Sequence, residues 1–380
     1  MKIALTGAGR YGKSYVDWLL AQTDPEIEFV GVIEKNIEAS PSKQAIFDAS
    51  IPVYGSMEEF YAEADADMMI LCTPPFLHAE QSVFAAEHGS YVLSEKPAAP
   101  TVAQVEMMLR AEEETGKFIA VGYQWSFDAA ILALKEDILK GVLGKPVWLK
   151  TIICTPRTRT YYAPEWSGRI SKDGVMVMDS IAFNACAHYV HNLLFILGDA
   201  VDTSVYPKKI KAECLRANDI ENFDTCVLRM VTESGVKLYF AATHATDTTR
   251  QPEFVFEFEN ATVSYYKQGD NGHLVATFRD GSEKDYGVPT VGMSKIRTCM
   301  EAIKTKKAPP CTAKTALSHT RLIEDLYLHV PIQDFPAARK VLKGDTICVE
   351  GLYDQLCSAY DKMVLLSELD PSVTATVFET

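Results

Sequence analysis

The sequence predicts an α/β fold, with an N-terminal doubly wound parallel sheet followed by an α+β domain whose sheet is mostly antiparallel. Three observations predict it. Over roughly the first 120 residues, short apolar runs alternate with helical patterns, as βαβ units require. The run Gly7-Ala-Gly9-Arg10-Tyr11-Gly12 closes the first strand pattern and opens the first helix pattern. Between Asp224 and Tyr286, β runs follow one another with turn residues between them.

In chain order, Lys2–Thr6 reads as a strand and Arg10–Ala21 as a helix with Tyr15, Leu19 and Leu20 on its apolar stripe. Strands follow at Glu28–Ile33, Asp67–Cys72, Tyr91–Leu93 and Phe118–Val121, with a helix at His78–His88. These strands are near-continuous apolar runs, the pattern of a sheet covered on both faces. After Gly122 the texture changes. Asp128–Leu139 reads as a helix, Gly144-Lys-Pro146 as a turn and Val147–Cys154 as a strand. Further strands are expected at Cys226–Val231, Val236–Ala242, Phe254–Glu259, Thr262–Tyr266 and Leu274–Phe278. Glu233-Ser-Gly235, Gly269-Asp-Asn-Gly272 and Asp280-Gly281 supply their turns. The rest reads as mostly helical, at Ser294–Lys304, Ala313–Leu328 and Asp354–Leu366.

Bulk properties bound the function. At 380 residues the chain exceeds what one core usually serves, so two domains are expected, divided as 1–122 and 123–380. A net charge of -14 argues against a nucleic-acid partner, because phosphate backbones need a basic surface. No apolar run approaches the ~20 residues of a membrane span, and no secretory signal pattern is visible. The nine cysteines are scattered and contain no CxxC pair. That fits reduced thiols, and the expected location is the cytoplasm.

The glycine run is specific in its context because strand, glycines and helix come in the required order. Gly7 permits the tight turn, Gly9 lets the backbone approach a pyrophosphate, and Gly12 allows close packing. Helix N-terminal amides then face the phosphates. Residues 1–122 therefore read as a dinucleotide-binding Rossmann domain. Glu34 ends the second strand about twenty residues on, where a carboxylate accepts hydrogen bonds from the adenosine ribose. It argues for NAD, while Arg10 and the adjacent Lys35 leave NADP open.

Met69-Ile-Leu-Cys-Thr73-Pro74-Pro-Phe-Leu-His78 and Val92-Leu-Ser-Glu95-Lys96-Pro97, together with the glycine loop, resemble the Gfo/Idh/MocA family, named for glucose–fructose oxidoreductase, inositol dehydrogenase and rhizopine catabolism proteins. Gly122-Tyr123-Gln124-Trp-Ser-Phe-Asp128 is similar to its hinge segment, and Ala313-Lys-Thr-Ala-Leu317 to its C-terminal helix. The resemblance implies a nicotinamide-dependent enzyme acting on CH–OH groups. Residues 123–380 would then form a substrate-binding and oligomerisation α+β domain with a large open sheet, in a homodimer or homotetramer. It also implies cofactor contacts from Thr73, Pro74, His78, Glu95, Lys96 and Gln124, and a cis bond before Pro97.

For the reacting centre, Lys96 lies at the carboxyl end of a sheet strand, the ligand-binding edge of such sheets. In Asp179-Ser-Ile-Ala-Phe-Asn184-Ala-Cys-Ala-His188-Tyr-Val-His191, the family places Asp-x-x-x-His on a helix facing the nicotinamide. His188 falls on the histidine and is the expected general base. Asn184 falls on the acidic position, where it can orient a hydroxyl but cannot ionise. Spacing i, i+4 would put the two on one helix face, and Asp179 reads as an N-cap. His188 and His191 lack a third ligand at fixed spacing, so no metal is expected. Arg157, Tyr162 and Trp166 lie in a segment rich in arginine and rings and are expected to line a substrate pocket with Tyr123. The expected substrate is a sugar, polyol or sugar derivative. Two other activities stay open: NAD-dependent glycoside cleavage through transient oxidation, and non-catalytic dinucleotide sensing.

Overall fold

The computed structural model describes residues 1–266, 272–290 and 292–380. The Gly269–Gly272 turn therefore lies largely outside the described residues. The chain divides into two compact units, Met1–Phe127 with Val291–Thr320, and Asp128–Thr290 with Arg321–Thr380. A single cut between 122 and 123 does not describe this division. The first unit is discontinuous, because helix Ser294–Thr305 and the start of helix Ala313–His329 belong to it.

The first unit holds strands β1 (Lys2–Thr6), β2 (Glu28–Ile33), β3 (Val53–Tyr54), β4 (Met68–Leu71), β5 (Tyr91–Ser94) and β6 (Ile119–Val121). They form one sheet in the order β3-β2-β1-β4-β5-β6, and every neighbouring pair is parallel. This is the doubly wound order, in which the strand sequence reverses between β1 and β4 and opens a crevice at their carboxyl ends. Helix α1 (Gly12–Leu20) follows β1 directly and buries Tyr15, Val16 and Leu19. Helix Val102–Thr115, absent from the sequence reading, starts on a Thr101/Gln104 capping box and stops at Gly116, whose φ is 68°.

The second unit is built on a ten-stranded sheet. Its order is 283–287, 274–278, 261–266, 250–258, 146–154, 237–243, 225–232, 207–216 and 332–334, with 376–379 also paired to 207–216. Neighbours are antiparallel except two pairs. Pro146–Cys154 runs parallel to Lys237–Thr243, and Pro207–Arg216 runs parallel to Ile332–Asp334. Leu352, Leu356 and Tyr360 from helix Leu352–Lys362 bury against Ile152, Tyr239 and Ala241 of the sheet. The stretch after residue 330 is less helical than its sequence suggests. It holds a hairpin at Lys340–Lys343 and Thr346–Val349, and the strand Thr376–Glu379. No helix among the described residues is long and apolar enough to cross a membrane.

Candidate active site

The glycine loop has the shape a dinucleotide needs. Gly7 has φ 90°, and a Cβ there would lie 2.5 Å from the Cys72 carbonyl oxygen at the end of β4. A Cβ on Gly12 would lie 2.1 Å from the Gly7 carbonyl oxygen, so the first turn of α1 closes on the loop only with glycine. At Gly9 a Cβ would meet nothing within 4 Å. That open space lies where a pyrophosphate approaches the backbone, so the residues present fit the cofactor. Arg10, exposed and at φ 23°, and Tyr11, 44% exposed, complete the loop's outer side. The Glu34 carboxylate accepts from the Ala8 amide (2.9 Å) and the Asn36 amide (3.1 Å). It braces the loop, at the position from which a ribose is read.

At the carboxyl ends of β4 and β5 several side chains brace the turns. Thr73 Oγ1 donates to Gln81 Oε1 (2.6 Å), and Pro74 is half-buried beside it. His78 is fully buried. Its Nδ1 lies 2.8 Å from the Pro97 carbonyl oxygen and its Nε2 2.9 Å from that of Thr73. Burial lowers its pKa, against the pull of both carbonyls. His78 thus ties the Thr73 turn to the Lys96–Pro97 turn, whose peptide bond is cis. The structure corrects the expected cofactor contact, since this ring presents no edge outward. Glu95 braces the same turn. Its carboxylate is buried, accepting from the Tyr15 hydroxyl (2.6 Å), the Lys295 ammonium and the Lys96 amide (3.2 Å). Tyr123, expected against substrate, is fully buried with its hydroxyl 2.8 Å from His319 Nδ1. Lys96 and Gln124 remain half-buried at the sheet edge.

In the second unit, Asn184 and His188 do not share one regular α-helix. Ile181–Ala185 is a π-turn capped by Ser180, and an α-helix starts at Ala187. The Cys186 amide bonds to the Ile181 carbonyl (2.8 Å), an i to i+5 bond that inserts a residue and breaks the i, i+4 relation. Such π-bulges recur at functional sites. Ser180 is the N-cap, so Asp179 is not. Instead the Asp179 carboxylate accepts from the Asn184 amide nitrogen (2.8 Å), the Gly168 amide (2.6 Å) and the Ser167 hydroxyl (3.2 Å). The carboxylate missing at position 184 thus stands beside it and orients the asparagine. His188 is half-buried, whereas His191 is fully buried and stacks on Phe195. Among the described residues, no group of three or more His, Cys, Asp or Glu is arranged to hold a metal ion.

Tyr162 lines a small recess in the same unit, with Tyr161, Asp179, Phe223 and His244 among its other walls. Trp166 is half-buried in the loop that follows but is not one of these walls. Arg157 lies alongside, its guanidinium 4.7 Å from the Tyr161 ring centroid. Sequence reasoning missed His244. Its only signal is nonlocal, because the parallel pairing of Cys154 with Thr243 sets the residues after each strand side by side. His244 Nδ1 accordingly lies 2.7 Å from the Thr155 carbonyl oxygen.

Known proteins agree with this geometry. Residues 1–123 match the family model described as "Oxidoreductase family, NAD-binding Rossmann fold", the Gfo/Idh/MocA family. A 4-carboxy-2-hydroxymuconate-6-semialdehyde dehydrogenase from Sphingobium is 23% identical over 88% of this chain and 100% of its own length. An inositol 2-dehydrogenase from Renibacterium salmoninarum is 28% identical over 48% of this chain and 54% of its own. Among solved structures, the WlbA dehydrogenase from Bordetella pertussis, in complex with NADH and UDP-GlcNAcA, has a TM-score of 0.69 at 23% identity, covering 86% of this chain and 95% of its own. Fold, glycine loop and the matched family model together define an NAD-binding Rossmann domain of the oxidoreductase class, and the relatives named are dehydrogenases. Through residues 1–123 the chain matches the NAD-binding domain of the Gfo/Idh/MocA oxidoreductases.

Proposed function

We propose that this protein oxidises a secondary alcohol of a sugar, polyol or sugar derivative with NAD as hydride acceptor, as a cytoplasmic homo-oligomer. The observation that carries the reading is the open backbone at Gly9 between two glycines that tolerate no side chain. Gly7, Gly9, Arg10, Tyr11 and Gly12 would hold the pyrophosphate, Glu34 the ribose, and Thr73, Pro74 and Gln124 the nicotinamide end. When bound, the cofactor supplies a ring that accepts a hydride.

The chain's own groups do the rest. The carbinol carbon loses its hydride, the hydroxyl loses its proton, and a carbonyl results. Lys96 donates to the reacting oxygen and holds it. His188 takes the proton, for which an imidazole is suited near neutral pH. Asn184, held by Asp179, orients the hydroxyl. Arg157, Tyr162 and Trp166 belong to the substrate side. The relatives' names support a hydroxylated small molecule, since they include inositol dehydrogenases and a structure with a nucleotide sugar acid bound. A panel of polyols, aldoses and aryl glycosides with NAD and NADP tests this. NADH should accumulate with at least one polyol or aldose. Aryl glycoside release without net NADH would replace the reading with redox-assisted glycoside cleavage.

A further inference from the structure

The loop after strand Pro146–Cys154 carries Arg157, which forms no ion pair among the described residues. Arg157 Nε is shut away from solvent without an acceptor. Among the described residues, its guanidinium makes no side-chain hydrogen bond or ion pair. Elsewhere in this unit, Arg159, Arg169, Arg216 and Arg250 each engage a carboxylate. A shielded donor left without an acceptor is costly unless a ligand completes it. The guanidinium packs on the Tyr161 ring, 4.7 Å from its centroid, a contact that fixes the group in place.

Two more incomplete groups stand in the neighbouring recess. The buried Tyr162 hydroxyl has no partner among the described residues, and burial raises its pKa, so it is a neutral donor. His244 Nδ1 faces the Thr155 carbonyl oxygen and therefore carries the ring proton. Burial pushes the pKa of His244 down to about 3, so Nε2 keeps its lone pair and is an acceptor. Asp179, in the recess wall, has its charge spread over bonds from Gly168, Ser167 and Asn184. The unmet groups are thus a guanidinium, a hydroxyl donor and a nitrogen acceptor.

We propose that Arg157 and Tyr162 form a subsite for the carboxylate of a hydroxy acid, with His244 Nε2 accepting from a hydroxyl of the same molecule. The inference rests on the dehydrogenase reading above and narrows its substrate to acids of the sugar or polyol type. A neutral polyol satisfies Tyr162 and His244 but leaves the cation unmet.

Calorimetry on the full-length protein saturated with NAD compares D-glucuronate with D-glucose, D-galacturonate with D-galactose, and both acids with glucose 6-phosphate. At least one acid should bind about tenfold or more tightly than its neutral twin. Arg157→Met should erase that preference while leaving NADH affinity unchanged, Arg157→Lys should keep part of it, and Tyr162→Phe should weaken the acid and its neutral twin alike. Thermal melts establish that each variant is folded. Acids binding no tighter than their twins, a preference for the phosphate, or a preference that survives in Arg157→Met overturns the subsite. Failure of the wild-type protein to bind NADH overturns the dehydrogenase reading instead, so the two failures are distinct.

Discussion

Turnover of a Lys96→Met variant falls by about 10²–10⁴-fold, the range of a lost proton-handling group, while NADH affinity stays near that of the wild type. The side chain sits at the carboxyl end of β5, where the fold brings ligands, and methionine fills similar volume without a donor. His188→Asn loses a comparable factor. The double variant loses little more than either single one, because groups serving one proton transfer are not additive. Steady-state rates with the best substrate of the panel, beside a cofactor titration of each variant, check this. Turnover within tenfold of wild type in Lys96→Met removes that residue from the chemistry.

The second large effect is on stability. Lys295 and Glu95 form an ion pair that is 1% and 8% exposed, with the Tyr15 hydroxyl on the same carboxylate oxygen. A Cβ on Gly122 would lie 3.2 Å from the Lys295 ammonium, so the pair also fits tightly against the chain after β6. Burial raises the Glu95 pKa, but the Lys295 charge and the hydrogen bonds from Lys295 and Tyr15 bring it below the ordinary 4.5. Burial lowers Lys295, and Glu95 reverses that to hold it above 10.5. Removing one partner strands a buried charge, so Lys295→Met should cost about 3–5 kcal/mol. Lys295→Met/Glu95→Met should recover part of that loss, since an apolar pair of similar volume is often tolerated.

The pH dependence has a definite sign. The depressed carboxylate contributes stability that is present above 4.5 and lost as pH falls through its folded value. The raised ammonium contributes stability that is present below 10.5 and lost as pH rises through its folded value. The gap in urea midpoint between wild type and Lys295→Met should therefore be full between those limits and close outside them. Equal midpoints at pH 7 would show that the pair does not stabilise the domain.

What the sequence revealed follows from how local each signal is. The glycine loop, Glu34 and the Glu95-Lys96-Pro97 turn lie at strand ends within βαβ units, and their neighbours in sequence set their geometry. Strands Glu28–Ile33 and Leu274–Phe278 are legible to the residue because their apolar runs end at turn residues. Helix Val102–Thr115 carried a readable signal in its capping box and Gly116, which the apolar pattern did not reveal. The π-turn at Ile181–Ala185 has no such signature, because one inserted hydrogen bond shifts the register without changing composition. Lys295 lies 200 residues from its partner, and Tyr123 lies 196 from His319. Burial of that kind depends on tertiary contacts, so a conspicuous Tyr-Gln pair after β6 reads as a ligand contact when the tyrosine belongs to the core.

One titration bears on the account most directly: NADH and NADPH added to the wild-type protein and to Gly12→Val, followed by nicotinamide fluorescence. Saturable binding of NADH, tighter than that of NADPH and lost in a Gly12→Val chain that remains folded, is the expected result. Binding of neither dinucleotide, or NADH binding undiminished by a side chain forced against the Gly7 carbonyl, would contradict it.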